Sequence, residues 1–200
     1  MKRALDANAE GDPIDRLRRW VDDAGAAGIA EPSAMCLATA DAAGRPSARF
    51  VLARGIDRRG VRFFTSYLSR KGRELADNPH AAAVFHWPSL GRQVRVEGTV
   101  ETISDEESDA YFSARPRGHQ IAAWASEQSE PVESRDILND RYAHFAERLA
   151  EDPVARPHSW GGYVIKPERI EFWEGRPNRM HERMEFVRAG SAWERRLLQP

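Results

Sequence analysis

One cysteine, Cys36, occurs in 200 residues, so an intrachain disulfide is impossible and a thiol-rich metal site is excluded. It stands in the apolar run 34–38, where a buried structural thiol is expected. The six histidines (His80, His86, His119, His144, His158 and His181) lack H-E-x-x-H or any other metal-ligand spacing, so no metal is expected. No G-x-G-x-x-G follows a strand pattern and no Walker loop occurs, which removes support for the common nucleotide folds. No nucleophile elbow occurs either, although a Ser–His–Asp triad needs no closeness in sequence and stays open. No stretch approaches the ~20 apolar residues of a bilayer span, and residues 1–11 lack the apolar core of a signal peptide. A cytoplasmic protein is expected. Neither sign of charge dominates: Lys+Arg is 30 against Asp+Glu 31, a net −1. That balance gives no footing for nucleic acid or a membrane surface, so any anion binding must be local.

What is present suits one domain with a real core. Apolar residues are 41% and charged residues 30%. Residues 1–11 read as a flexible leader and 12–200 as a single domain. Asp12-Pro13 opens a helix with Asp15 in its first turn; Ile14, Leu17, Val21 and Ala24 form its apolar stripe, and Gly28 ends it. Strands are expected at 34–40, 47–56, 61–66, 81–87 and 93–103, and then at 160–165, 169–173, 183–187 and 193–198. In 93–103, Val94, Val96 and Val100 alternate with Gln93, Arg95, Glu97 and Glu101. Helices are expected at 69–77, 104–114 and 137–149, with Ser104 and Glu107 spaced as a capping box. Strands at hairpin spacing with helices between groups of them predict a mainly β fold, an antiparallel barrel with peripheral helices.

Three clusters carry candidate chemistry. Ser69-Arg70-Lys71 puts two cations where a helix dipole favours acids. A bound phosphate would resolve that conflict; a solvated surface pair is the alternative. The run from Tyr111 through Arg115 to His119 crosses Pro116 and Gly118, leaving arginines, a phenol and an imidazole near a bend. It suits an anionic substrate or equally a charged helix end. The third cluster, Ile170 to Arg183, ends a strand in Trp173, crosses a Gly/Pro/Asn loop and continues Arg179-x-His181-x-Arg183. If extended, those three side chains share one face and converge on one ligand; an edge strand guarded by charge is the plainer reading.

All three clusters, in this order, resemble the pyridoxamine 5′-phosphate oxidase family, and I-E-F-W-E-G-R-P-N-R-M-H-E-R at 170–183 resembles its C-terminal signature. The resemblance runs from Asp12 to Pro200. It implies a six-stranded split barrel with surrounding helices, dimerising to hold two FMN in interface clefts. It assigns Arg49 and Val51 to the strand beside the flavin, Thr65, Arg70 and Lys71 to its phosphate and ribityl chain, and Gln93 to the ring's polar edge. Gln128, Ser129, Trp173 and Arg183 complete the cofactor site, some from the partner subunit. Tyr111 and Arg115 match substrate-phosphate binders, while Arg179 and His181 match the catalytic pair that covers and orients the pyridine ring. The implied reaction oxidises pyridoxamine or pyridoxine 5′-phosphate to pyridoxal 5′-phosphate, with O2 as acceptor and hydrogen peroxide as product.

Three departures fall on the substrate side. Arg54 stands where the family has a phosphate-binding lysine, a planar fork in place of a point charge. His119 stands where a serine is usual, bringing a charge that depends on pH. The family's R-x-E-Y-like N-terminal segment has no counterpart before Asp12. They point toward one alternative, a phenazine-type oxidase of secondary metabolism, which shares the FMN site; a non-catalytic flavin-binding module is a separate alternative, against which Arg179 and His181 stand.

Overall fold

The computed structural model describes residues 11–151 and 153–200, so all of the expected leader but Gly11 lies outside the described residues. Helix α1 (Pro13–Ala26) starts as its sequence dictates: Pro13 fills the first turn and the Asp12 carboxylate accepts from the Ile14 N–H at 2.8 Å. Ile14, Leu17 and Ala24 are buried as expected, and Trp20 with them. The Trp20 ring meets Phe172 edge-on at 5.1 Å, docking the helix on the sheet.

Among the described residues nine strands form one antiparallel sheet: β1 (Ala34–Ala40), β2 (Pro46–Leu52), β3 (Gly55–Asp57), β4 (Gly60–Ser66), β5 (His80–Trp87), β6 (Arg92–Thr102), β7 (Trp160–Glu174), β8 (Glu182–Ala189) and β9 (Ala192–Leu198). The order β2-β1-β5-β6-β7-β4-β3 makes the main path, while β8 pairs with β7 and β9 with β8. The implied count of six strands is corrected to nine. The run from β2 to β4 supplies six, and β3, β8 and β9 are added to it, β3 beside β4, β8 beside β7 and β9 beside β8. The sheet curls until β2 touches β4. Its inner face carries Val94, Val96, Phe63, Phe85, Ile170 and Phe172, all fully buried. Each such side chain contributes about 1.5–3 kcal/mol by leaving water.

Strand β7 departs most from the sequence expectation. Pro167 divides its pattern into two strands at 160–165 and 169–173, yet the structure carries one strand of 15 residues. One edge of β7 pairs with β6; on the other, Val61–Ser66 of β4 hands over to β8 at Arg169. Pro167 sits in that handover beside the bulge between Glu97 and Gly98, where a missing N–H disturbs no ladder. Gly98 is required there, since a Cβ would lie 2.0 Å from the Lys166 carbonyl oxygen. The expected strand 47–56 divides instead into β2 and β3, and Cys36 is half-buried on β1 rather than buried.

Helices α2 (Arg70–Asp77), α3 (Asp105–Ser113), α4 (Arg117–Ala125) and α5 (Arg135–Arg148) surround the sheet. Ser69, Ser104 and Ser134 cap α2, α3 and α5. Only half of the expected capping box forms: Ser104 Oγ accepts from the Glu107 N–H, but the Glu107 carboxylate takes a two-pronged contact from Arg59 at 2.7 and 2.9 Å. The sequence reading missed α4, because Pro116 and Gly118 read as a bend; Pro116 is in fact its N-cap. No described helix is long and apolar enough to cross a membrane.

Gly98→Ala forces backbone against backbone, and the expected cost is about 1–3 kcal/mol, as for overpacking of a tight interior. Urea unfolding should show a lower midpoint at an unchanged slope. A midpoint equal to the parent's would contradict the steric reading of the bulge.

Candidate active site

A cleft of about 600 Å3 opens beside β2, β4 and the start of α4. Arg49, Arg54, Lys71, Arg115 and His119 line it together with Thr65, Tyr111, Gln128 and Val51, and no carboxylate is among the lining residues. A concave surface with five basic side chains and no acid is built for anions.

Its floor begins at α2. The Ser69 hydroxyl accepts from the Gly72 N–H at 3.3 Å and so opens the helix directly at Arg70 and Lys71. Lys71 is buried, with Nζ donating to Gln128 Oε1 at 2.7 Å, Thr65 Oγ1 at 3.1 Å and Ser69 Oγ at 3.3 Å. None of these partners carries charge. Burial, and then the Arg49 charge, pull the ammonium down to about 8, against the opposing pull of Glu74. Thr65 also donates to Gln128 Oε1 at 2.8 Å, so one amide oxygen gathers both groups.

Arg49 is aimed by Glu74, which the sequence reading did not single out. Glu74 Oε2 accepts from Thr39 at 2.5 Å, Ser47 at 2.6 Å and Arg49 at 3.3 Å, while Oε1 accepts from Arg70 at 2.8 Å. Arg49 donates in turn to Thr39 Oγ1 at 2.5 Å and to Ser47 Oγ. The Arg70–Glu74 spacing of four on a helix was the available signal. It also shows that Arg70 turns to Glu74 and is not among the cleft-lining residues.

The other end of the cleft is aromatic. Tyr111 stacks on Phe64 at 3.7 Å and 10°, and Trp160 lies parallel to both. The Arg115 guanidinium sits 4.5 Å from the Trp160 ring centre. Its Nη1 atom is buried without a hydrogen-bond partner. Burial works against the Arg115 charge, as does Arg54 nearby, while Tyr111 favours it. A buried cationic donor left unmatched is costly, and an anion in the cleft removes that cost. Phe64 and Trp160 carry no local motif, which is why sequence reasoning missed them.

The remaining candidates stand elsewhere on the chain. Gln93, Trp173 and Arg183 form one row across β6, β7 and β8, in direct register. Trp160 and Trp173 stand thirteen residues apart on β7, which is roughly 40 Å of strand at ~3.3 Å per residue. Arg183 makes a two-pronged contact with the buried Glu171 at 2.8 and 3.0 Å. The extended conformation that would set Arg179, His181 and Arg183 on one face is not adopted at Arg179. Asn178 and Arg179 adopt φ of 57° and 60° in a 3₁₀ turn, and β8 begins only at Glu182. His181 instead lies 4.7 Å from the Trp173 ring, while Arg179 is exposed. Ser129, with φ 76°, is exposed and outside the cleft-lining set.

Burial pushes the Glu74 carboxyl up, but donors from Ser47, Thr39, Arg70 and Arg49 outweigh it and hold the group at about 2, below an ordinary 4.5. The stabilisation this gives is complete above about pH 4.5 and lost as pH falls through about 2. Glu74→Gln should therefore lose less stability than the parent across that acid window in urea titrations at matched pH. Parallel losses in the two proteins would refute the assignment.

Residues 21–148 match the family model described as pyridoxamine 5′-phosphate oxidase, and residues 160–200 match the pyridoxine 5′-phosphate oxidase C-terminal dimerisation region. The pyridoxine/pyridoxamine 5′-phosphate oxidase of Rubrobacter xylanophilus is 55% identical over 96% of this chain and 88% of its own length. That of Cupriavidus necator is 53% identical over 94% and 89%. Among solved structures, PhzG from Burkholderia lata in complex with tetrahydrophenazine-1-carboxylic acid superposes with a TM-score of 0.91 at 34% identity, covering 96% of this chain and 95% of that one. With family models over both the cleft-bearing and the C-terminal parts, and relatives of this identity along nearly the whole length, the chain belongs to the pyridoxamine 5′-phosphate oxidase family.

Proposed function

We propose that this chain, a single domain over residues 12–200, oxidises pyridoxine or pyridoxamine 5′-phosphate to pyridoxal 5′-phosphate in the cytoplasm. It works as a homodimer with FMN in clefts at the subunit interface. The observation that carries the reading is the unmatched Nη1 of Arg115 in a cleft with five basic side chains and no acid. One end of that cleft takes a cofactor phosphate and the other a substrate phosphate.

Lys71, Thr65 and Arg49 fit the cofactor phosphate and ribityl chain: a buried ammonium with only neutral partners, a hydroxyl beside it, and a guanidinium aimed from behind. Arg70 supports this end through Glu74. Gln128 and Ser129 lie on the loop beside it, and Val51 packs along the cleft wall. The Gln93–Trp173–Arg183 row is too far along β7 to meet the same ligand, so it serves the partner's cleft across the dimer. The match of residues 160–200 to a dimerisation region supports that placement.

Bound FMN supplies the redox chemistry of such an oxidation: uptake of two electrons from the substrate's C4′ carbon and their transfer to O2 as hydrogen peroxide. The chain's own residues bind and orient. Arg115, Arg54 and His119 hold the substrate phosphate with Tyr111, against the aromatic shelf of Phe64 and Trp160. Arg179 and His181, beside Trp173 in the row, cover the pyridine ring in the partner's cleft and fix C4′ against the flavin there. A second reading, oxidation of a reduced phenazine carboxylic acid, is favoured by the likeness to PhzG. Retention of Tyr111 and Arg115 favours the phosphorylated pyridine.

Anaerobic bleaching of the bound flavin tests both readings. Pyridoxamine 5′-phosphate should bleach it, and a tetrahydrophenazine carboxylic acid run beside it should not; the reverse outcome selects the second reading. Protein that binds no FMN would sink both. Arg115→Ala should raise KM for the phosphorylated substrate about tenfold or more through loss of a charge-assisted contact of ~1.5–3 kcal/mol, with FMN retained. An unchanged KM in steady-state assays would remove Arg115 from the substrate site.

A further inference from the structure

The geometry points to Arg176 as a positioning residue that locks the β7–β8 loop and fixes His181 as a neutral imidazole with its proton on Nε2. This rests on the reading that His181 meets the substrate. The hairpin holds a conflict of charge. Glu174 closes β7, Glu182 opens β8, and the two stand directly opposite in the ladder. Like charges in that relation push strands apart, and Glu174 is buried at 4% exposure, where water screens little.

Arg176, in the loop between them, answers the conflict. Its Nε donates to Glu182 Oε1 at 2.9 Å and its Nη2 to Glu182 Oε2 at 3.1 Å; Nη2 also donates to Glu174 Oε2 at 2.9 Å. A planar fork can hold two carboxylates at once in this way, whereas a lysine ammonium acts as a point charge. Arg92 adds a second cation to Glu174 at 3.8 Å, which ties the loop to β6. Between the two glutamates the backbone passes through consecutive positive φ values at Asn178 and Arg179. Asparagine takes that conformation readily and arginine far less so, so the strain of the turn falls on Arg179, between the two bridged glutamates.

The clamp has a chemical output. The Arg176 backbone N–H donates to His181 Nδ1 at 3.2 Å. A neutral imidazole that accepts at Nδ1 carries its hydrogen on Nε2. Trp173 lies against the ring, tilted, with the ring centres 4.7 Å apart. His181 is therefore offered to a ligand as a hydrogen-bond donor, and the partner it selects is an acceptor atom of the substrate's pyridine, an oxygen or ring nitrogen. Its role is orientation by donation rather than removal of a proton at Nδ1, which is already engaged.

Nitrogen-15 NMR of the histidine side chains in the FMN-loaded dimer tests this directly. The parent should show His181 in the Nε2–H form, assigned by its absence in His181→Asn. Arg176→Gln should mix the two tautomers and lower kcat/KM for pyridoxamine 5′-phosphate about tenfold or more, the scale of a small misplacement in a site, with an unchanged Kd for FMN. Adding Glu182→Gln to that variant should restore part of the lost activity, because the facing charges no longer repel. An Nδ1–H form in the parent would overturn the inference. So would an Arg176→Gln protein with the parent's spectrum and kcat/KM, or a double variant no better than the single. If Arg176→Gln does not fold, Arg176→Lys serves: it should fold and lose part of kcat/KM, and activity equal to the parent's would refute the bridging argument. Should the parent fail to oxidise pyridoxamine 5′-phosphate at all, the functional reading falls while the tautomer spectrum still decides the clamp.

Discussion

A carboxylate that accepts from two hydroxyls and two guanidinium groups inside a protein has its position fixed on every side, and Glu74 is so placed. The cleft depends on it. Basic side chains facing one hollow repel one another, and at neutral pH nothing on the lining offsets them. Glu74 stands behind that lining as the counter-charge for Arg49 and Arg70. It joins β1, β2 and α2 through the same atoms. The structure thus keeps the cleft's cations on its lining and the Glu74 carboxylate behind it, so the cleft stays electropositive without the helix end coming apart.

Much of this was legible locally. Asp12-Pro13, Ser69 and Ser104 announce helix starts by capping chemistry that acts over two or three residues, and the structure shows each one. Alternation along β6 gives the buried face correctly. Local reading failed where a distant element decides. Pro167 is a strand breaker by itself, and only the exchange of β4 for β8 along that edge lets it sit within β7. Pro116-Arg117-Gly118 reads as a bend, yet α4 forms, with Gln120 bonding three carbonyls near the end of α3. Arg-x-His-x-Arg looks extended, yet Asn178 and Arg179 turn left-handed where the loop is clamped.

The candidate site divides on the same principle. The residue types at Arg49, Thr65, Lys71, Tyr111 and Arg115 could be picked out because a family pattern marks them, and the structure brings all five to one cleft. The groups that aim them, Glu74, Phe64 and Trp160, reach across 25 to 96 positions of sequence, as with Arg49–Glu74 and Phe64–Trp160. Such separations leave no periodic trace. These side chains act by placing another residue, and a single sequence records the residue but not what it places.

The continuity of β7 has a further consequence. Trp160 at its start belongs to the cleft, and Trp173 near its end belongs to the row with Gln93 and Arg183. In a twofold dimer of the kind proposed, each cleft meets the row of the other chain, so lesions fall into two classes that never damage the same half of a site. A dimer assembled from one chain faulty in its cleft and one faulty in its row keeps one complete site of its two. In genetic terms the two classes complement each other within a single gene.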